Sequence, residues 1–155
     1  MNMRYLRYFE SKRKKVHDLS GIILLCEDRI LLVNPRKFRK FRNRWSIPKG
    51  HIEGDTYRSA LKELKEETGI TLSSKEPKDL IELKYKKGGF EKNLKAYIIR
   101  VEKSDIENLL DGWNIKKKNF DRKEIEKSKF FTLDQAYSKM EPKMRKLITR
   151  LKKVI

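Results

Sequence analysis

Unbroken apolar runs, rather than helical spacing, dominate the first part of the chain. Residues 19–26 and 29–33 are largely apolar and are separated by Glu27-Asp28, a pattern that predicts a hairpin of two strands, with the stretch 21–26 buried. A basic, loop-like connection over residues 34–44 leads to Trp45-Ser46-Ile47, a short strand stopped by Pro48. The pattern then changes. With Thr56 as N-cap, the segment to Thr68 predicts a helix, and Gly69 just past its end supplies a C-terminal stop. Residues 80–86 and 94–101 predict a second strand pair around Lys87-Gly88-Gly89. Ser104 opens a short helix through Leu110, and a polar loop follows as far as Lys123. Phe130-Phe131 predicts a short strand, and Thr132 caps a turn of helix. Pro142 starts a last helix in which Met144, Leu147, Ile148 and Leu151 share a face. Strands interleaved with a few helices imply an α/β or α+β sandwich, without repeats or a linker.

At 155 residues the chain is the size of one domain, read here as a single unit over residues 1–155 with a basic N-terminal segment and a C-terminal helix. With 37% apolar residues and a mean hydropathy of −0.81, it contains no apolar run near the roughly 20 residues of a membrane helix. Residues 1–16 alternate aromatic and basic side chains and lack the apolar core and cleavage site of a signal peptide, so a cytoplasmic location without membrane insertion is expected. The single cysteine, Cys26, lies among Ile22, Ile23, Leu24 and Leu25 and reads as a buried, inert thiol.

Charge changes the picture. Forty Lys and Arg against 22 Asp and Glu leave a formal +18. A field of that sign draws in polyanions, so nucleic acid, highly phosphorylated small molecules or anionic membrane surfaces are the natural partners. Lysine-rich solvated faces are the competing explanation.

The candidate chemistry lies in Pro48-Lys49-Gly50-His51-Ile52-Glu53-Gly54-Asp55 and in Ala60-Leu61-Lys62-Glu63-Leu64-Lys65-Glu66-Glu67-Thr68-Gly69-Ile70. Residues three and four apart are neighbours on a helix, so Glu63, Glu66 and Glu67 project from one side, while Leu61 and Leu64 can anchor the helix to the sheet. Crowded carboxylates repel unless a cation sits between them, and hard oxygen ligands suit Mg²⁺ or Mn²⁺. A lysine- and glutamate-rich helix taken alone is more often a solvated face.

The context outweighs that alternative, because the stretch resembles the Nudix box: Gly, five residues, Glu, seven residues, Arg-Glu, an apolar residue, any residue, Glu-Glu, any residue, Gly, apolar. Lys62 to Ile70 match the second half at every fixed position except Lys62 for Arg. The first half is compressed: Gly50 precedes Gly69 by 19 positions where the pattern needs 21. The family's first Glu therefore has no clean counterpart, with Asp55 nearest and Glu53 second. The resemblance reaches from the upstream hairpin to Phe130-Phe131-Thr132-Leu133 and Ala136, roughly residues 18–138. It implies an α/β/α sandwich with a mixed sheet and a metal-dependent hydrolase of phosphoanhydride bonds. It further implies Glu63, Glu66 and Glu67 as metal ligands, with Glu66 and Glu67 central to catalysis. Lys62 would replace the Arg that orients a box carboxylate, without its planar fork. Glu124, six residues before Phe130, takes the place where several subfamilies put a general base, with Glu126 as the fallback. His51 is read as structural or phosphate-facing, and His17 carries no signal.

Pro48-Lys49-Gly50 resembles the branches that act on diadenosine polyphosphates, diphosphoinositol polyphosphates and mRNA caps, and Lys49 with Gly50 is expected to meet phosphate. Immediately upstream, Arg36, Lys37, Arg39, Lys40, Arg42 and Arg44 interleave with Phe38, Phe41 and Trp45, cations for a backbone and rings for bases. Trp113 and Phe120 are further candidates for stacking. Capped or 5′-modified RNA is therefore the favoured substrate, with dinucleoside polyphosphates and inositol pyrophosphates as the alternative. A catalytically weak RNA-binding module is the reading from a different class.

Overall fold

The computed structural model describes residues 15–38, 44–72 and 75–155. Among these residues eight strands form one sheet: β1 (Val16–Cys26), β2 (Arg29–Pro35), β3 (Lys49–His51), β4 (Asp79–Lys87), β5 (Phe90–Val101), β6 (Leu110–Asp111), β7 (Asn114–Ile115) and β8 (Ile125–Thr132). Their order is β4-β5-β1-β2-β8-β7-β6, with β3 paired to β1. β1 and β5 run parallel in register from Val16↔Glu91 to Cys26↔Val101, whereas the other pairings are antiparallel, so the sheet is mixed. The helices are α1 (Thr56–Thr68), α2 (Lys103–Ile106), α3 (Leu133–Lys139) and α4 (Lys146–Val154).

The unbroken apolar character of β1 has a direct cause: both of its faces are covered. Ile22, Leu24 and Cys26 pack with Ala60 and Leu64 of α1. Ile23 and Leu25 point the other way, into a cluster with Met144, Leu147, Ile148 and Leu151. Three of those four belong to α4, and all four are at most 1% exposed, as their shared face predicts. Each such side chain contributes roughly 1.5–3 kcal/mol of burial. Helices on both faces of a mixed sheet make the expected α/β/α sandwich. Cys26 is fully buried, and burial raises its thiol pKa, in keeping with an inert group.

The turns follow their residues. Gly88 and Gly89 both have positive φ, 61° and 80°, the left-handed pair that closes a tight hairpin between Lys87 and Phe90. Thr132 caps α3 as expected, its hydroxyl accepting from the Gln135 N–H while the Gln135 side chain accepts from the Thr132 N–H.

Several boundaries differ from the sequence reading. β1 begins at Val16 and β8 at Ile125, because long-range pairing extends both beyond their apolar centres. The N-cap of α1 is Asp55, whose Oδ1 accepts from the Arg58 N–H at 2.8 Å, and Thr56 is the first helical residue. The helix expected from Ser104 through Leu110 ends at Ile106 and gives way to a 3-10 turn over Glu107–Leu109, and β6 and β7 follow in place of the expected polar loop. Residues 45–47 form only isolated bridges, Val33↔Ser46 and Trp45↔Met140, and the strand of this region is instead β3.

Candidate active site

Helix α1 is fixed at both ends. At its C-terminus Gly69 takes φ 80°, and its N–H bonds Lys65 O at 2.8 Å. A Cβ there would also stand 2.2 Å from Asn119 O, so glycine is required by conformation and by contact. The late carbonyls are taken up by tertiary donors: Asp121 N–H to Glu66 O at 3.2 Å, and Ser128 Oγ to Glu67 O at 3.1 Å. The segment that carries Glu124 is thereby tied to the backbone of the helix that carries the acidic trio.

The approach to the helix is laid tightly across β1. Ile22 N–H donates to Pro48 O at 3.1 Å, and a Cβ on Gly21 would meet that oxygen at 2.6 Å. Gly21 thus lets Pro48, Lys49 and Gly50 lie over the strand. Gly50 in turn packs on the Glu63 carboxyl. It is a backbone neighbour of the trio and does not itself line the cleft described below.

The three glutamates have unequal surroundings. Glu67 is 9% exposed and its Oε2 accepts the Lys49 backbone N–H at 3.0 Å. Burial, then repulsion from Glu63, pushes its pKa up to about 8. Glu63 is half-buried and is pushed up to about 7 by burial and by Glu66 and Glu124. Glu66 is the exposed member, paired with Lys62 at 3.8 Å. Lys62 also lies 3.7 Å from Glu53, so it bridges the two acids from the solvent side as a point charge. Burial lowers the Lys49 ammonium pKa despite the nearby Glu67 carboxylate; desolvation outweighs attraction for both partners.

These are the marks of an acidic group short of positive charge, and their oxygen donors fit a hard divalent cation. Among the described residues no three such side chains converge on one point, so holding such an ion would take a rotamer change, most easily by the exposed Glu66. Of the two candidates for the family's first Glu, Asp55 is occupied as the helix cap, whereas Glu53 lines a small hollow of about 140 Å³ together with Lys62 and Glu63.

A larger cleft of about 390 Å³ is lined in part by Glu67 and Glu124, and Glu124 adds its charge to the fields at Glu63 and Glu67. Among the described residues its cations are Lys37, Arg44, Lys49, Lys87 and Lys123. Three of the expected phosphate contacts, Lys37, Arg44 and Lys49, are therefore gathered at one site with the candidate base. Arg36 is engaged elsewhere: its guanidinium donates to Arg122 O and lies 3.3 Å from Glu126 Oε2, and its N–H donates to Glu124 O at 2.7 Å. It braces the Glu124 segment from behind. That contact also makes Glu126 a structural partner and leaves Glu124 as the acid facing the cleft. Arg39, Lys40, Arg42 and Phe41 lie outside the described residues.

Three of the proposed stacking rings, Trp45, Trp113 and Phe120, are committed to packing. Trp45 meets Phe131 edge-on at 4.9 Å between centroids and packs against the core. Phe120 is 8% exposed, and Trp113 packs on Phe130 with Arg29 and Lys103 over its ring. Many basic residues are similarly engaged, as with Lys152 on Asp134 and Lys143 on the Lys86 carbonyl. His51 is exposed, its ring against His17, which stacks on Phe90. Sequence reasoning missed Ser128, Gly21 and Glu141, a buried acid in the cleft wall; only the helix-terminal carbonyl at Glu67 could have signalled the need for a donor such as Ser128.

Solved structures share this architecture. A binary complex of the Caenorhabditis elegans Ap4A hydrolase superimposes with a TM-score of 0.68 at 18% identity, covering 89% of this chain and 96% of that one. The NUDIX domain of Shewanella oneidensis NrtR, solved with ADP ribose, gives 0.65 at 16% identity over 99% of this chain and 98% of that one. A bifunctional NMN adenylyltransferase/ADP ribose pyrophosphatase from Francisella tularensis, complexed with AMP and a Mn ion, gives 0.69 at 16% identity over 97% of this chain and 45% of that one. No curated protein sequence matches. The sequence model of the NUDIX domain matches residues 16–151. That match spans the whole sheet, the acidic helix and the cleft, so the chain belongs to the Nudix family and is a hydrolase of pyrophosphate bonds.

Proposed function

We propose that the protein hydrolyses one phosphoanhydride bond in a nucleotide with an extended phosphate chain, using Mg²⁺ or Mn²⁺ held by Glu63, Glu66 and Glu67. The observation that carries this reading is the cleft in which Glu67 and Glu124 meet five cations. A divalent ion at the acidic helix would supply charge neutralisation, substrate orientation and an activated water. Lys37, Arg44, Lys49 and Lys123 would draw the phosphates in and hold them as point charges. Glu124, exposed at the cleft and braced through Arg36, would accept the proton of the attacking water. Lys62 would steady Glu66 and Glu53 without touching substrate.

The favoured substrate is the 5′ end of a capped or otherwise modified RNA, cleaved to release a nucleoside diphosphate or comparable fragment. Its support is the +18 charge and the basic stretch that leads into the cleft at Lys37 and Arg44. A second reading, a dinucleoside polyphosphate or inositol pyrophosphate, is favoured by the commitment of Trp45 and Phe120 to the core, which removes two rings from an RNA platform. Product analysis with Mg²⁺ or Mn²⁺ decides, using capped RNA, free cap dinucleotide, diadenosine polyphosphate and inositol pyrophosphate side by side. Preferential release of nucleoside diphosphate from capped RNA is the expected result. Faster turnover of a small substrate would replace it with the second reading, and no turnover with salt-sensitive RNA binding would leave a binding module.

A further inference from the structure

The cleft holds a buried acid that the chemistry above does not use. Glu141 is 6% exposed, and its backbone N–H donates to Trp45 O at 3.0 Å at the start of the 3-10 turn Pro142–Met144. Lys87 Nζ donates to its Oε2 at 3.0 Å, and the Arg44 guanidinium lies 4.0 Å from its Oε1. The three side chains come from segments far apart in sequence: the end of β4, the approach to β3, and the link between α3 and α4. All three line the cleft.

An isolated carboxylate in an anion-binding cleft would repel phosphate. Here two cations over-compensate it, and their side chains keep 33% and 38% of their surface exposed, so a ligand can still reach them. Lys49 feels both Glu67 and Glu141, so it links this group to the acidic helix along the cleft. Long cationic side chains lose rotamer freedom when they grip a ligand, and a buried acceptor that orders them beforehand removes much of that cost at binding.

We propose that Glu141 is a positioning residue that holds Lys87 and Arg44 as a distal phosphate subsite, for phosphates of the substrate remote from the bond being cut. This rests on the reading of the cleft as the substrate site. Its consequence is a preference for chains of three or more phosphates.

Calorimetric titration with inorganic tripolyphosphate tests the subsite without calling on catalysis. Lys87→Met should weaken binding about tenfold, the scale of one charge-assisted hydrogen bond. Glu141→Gln should weaken it similarly even though it removes a negative charge, and the double variant should lose little more than either single one. Glu141→Gln binding as tightly as the parent, or more tightly, would overturn positioning, because charge removal alone acts in that direction. Thermal melts establish that each variant is folded. If Glu141→Gln does not fold, Lys87→Met and Arg44→Lys, both at half-exposed positions, decide instead, and unchanged affinity in both rejects the subsite. Absence of hydrolysis with this binding pattern intact would remove the proposed function and leave the subsite standing.

Discussion

The Cα of Gly50 lies against the carboxyl of Glu63: a Cβ built on Gly50 would stand 2.3 Å from Glu63 Cδ and 2.4 Å from Oε1. The glycine of the box is there so that an acidic side chain of the helix can sit directly on the loop backbone. Gly50→Ala should therefore displace Glu63 and lower kcat by roughly 10- to 100-fold, the scale on which a 1 Å misplacement acts. Thermal melts should move little, since the far end of a side chain can yield; an unchanged rate would mean that Glu63 needs no fixed position.

Glu66→Gln and Glu67→Gln should each reduce turnover by about 100-fold or more while the circular dichroism spectrum is retained, the scale on which lost metal activation of water acts. Undiminished rates in both variants would sink the metal assignment.

Glu124 and Glu126 are separable. Glu124→Gln should lower kcat by about 10²- to 10⁴-fold with little change in KM, as loss of a general base does. Glu126→Gln removes the partner of Arg36 and should act mainly on stability, by up to about 1 kcal/mol for a partly exposed pair. The pH profile of kcat distinguishes them, because only loss of the base should abolish its acidic limb.

Stability of the metal-free protein should fall as pH rises. Glu63 and Glu67 ionise near 4.5 in the unfolded chain but near 7 and 8 in the folded one, so between those values the folded state holds protons that the unfolded state has released. Their effect is absent below the lower value and complete above about pH 8. Melts in chelator from pH 5 to 8 measure it, and Mn²⁺ should raise the melting temperature more at pH 8 than at pH 5. A metal-free protein that becomes steadily more stable over that range would contradict these pKa shifts.

If the basic stretch serves RNA, replacing Lys37, Arg39 and Lys40 together by Ala should cost more on long capped RNA than on a cap dinucleotide. The slope of log affinity against log salt should also fall, by about 0.7 for each phosphate of a single strand that is no longer neutralised. Equal losses on both substrates would favour the small-substrate reading.

Much of this was legible because its signals are local. The acidic helix shows in its spacing, its stop in Gly69, the C-terminal helix in Met144, Leu147, Ile148 and Leu151, and the short helix α3 in the Thr132 cap. β3 was not, because Lys49, Gly50 and His51 carry no apolar alternation; they form a strand only because Gly21 lets them approach β1. Strands of two residues such as β6 and β7 are too short to leave a pattern. Glu141 reads as one more charge in a charged tail, since its partners Lys87 and Arg44 arrive only with the tertiary fold. Trp45 showed the right residue type for base stacking, but packing against Phe131 claimed it.

The distribution of charge along α1 has a consequence of its own. The helix has no acidic residue in its first turn, and Glu63, Glu66 and Glu67 all fall in its C-terminal half, toward the negative pole of the macrodipole. Asp55 at the N-cap and Lys65 in the last turn are favourably placed, but the three glutamates stand where the dipole disfavours negative charge. A divalent cation at the trio would offset that unfavourable placement as well as serve the reaction, so the stability of the helix would be tied to metal binding.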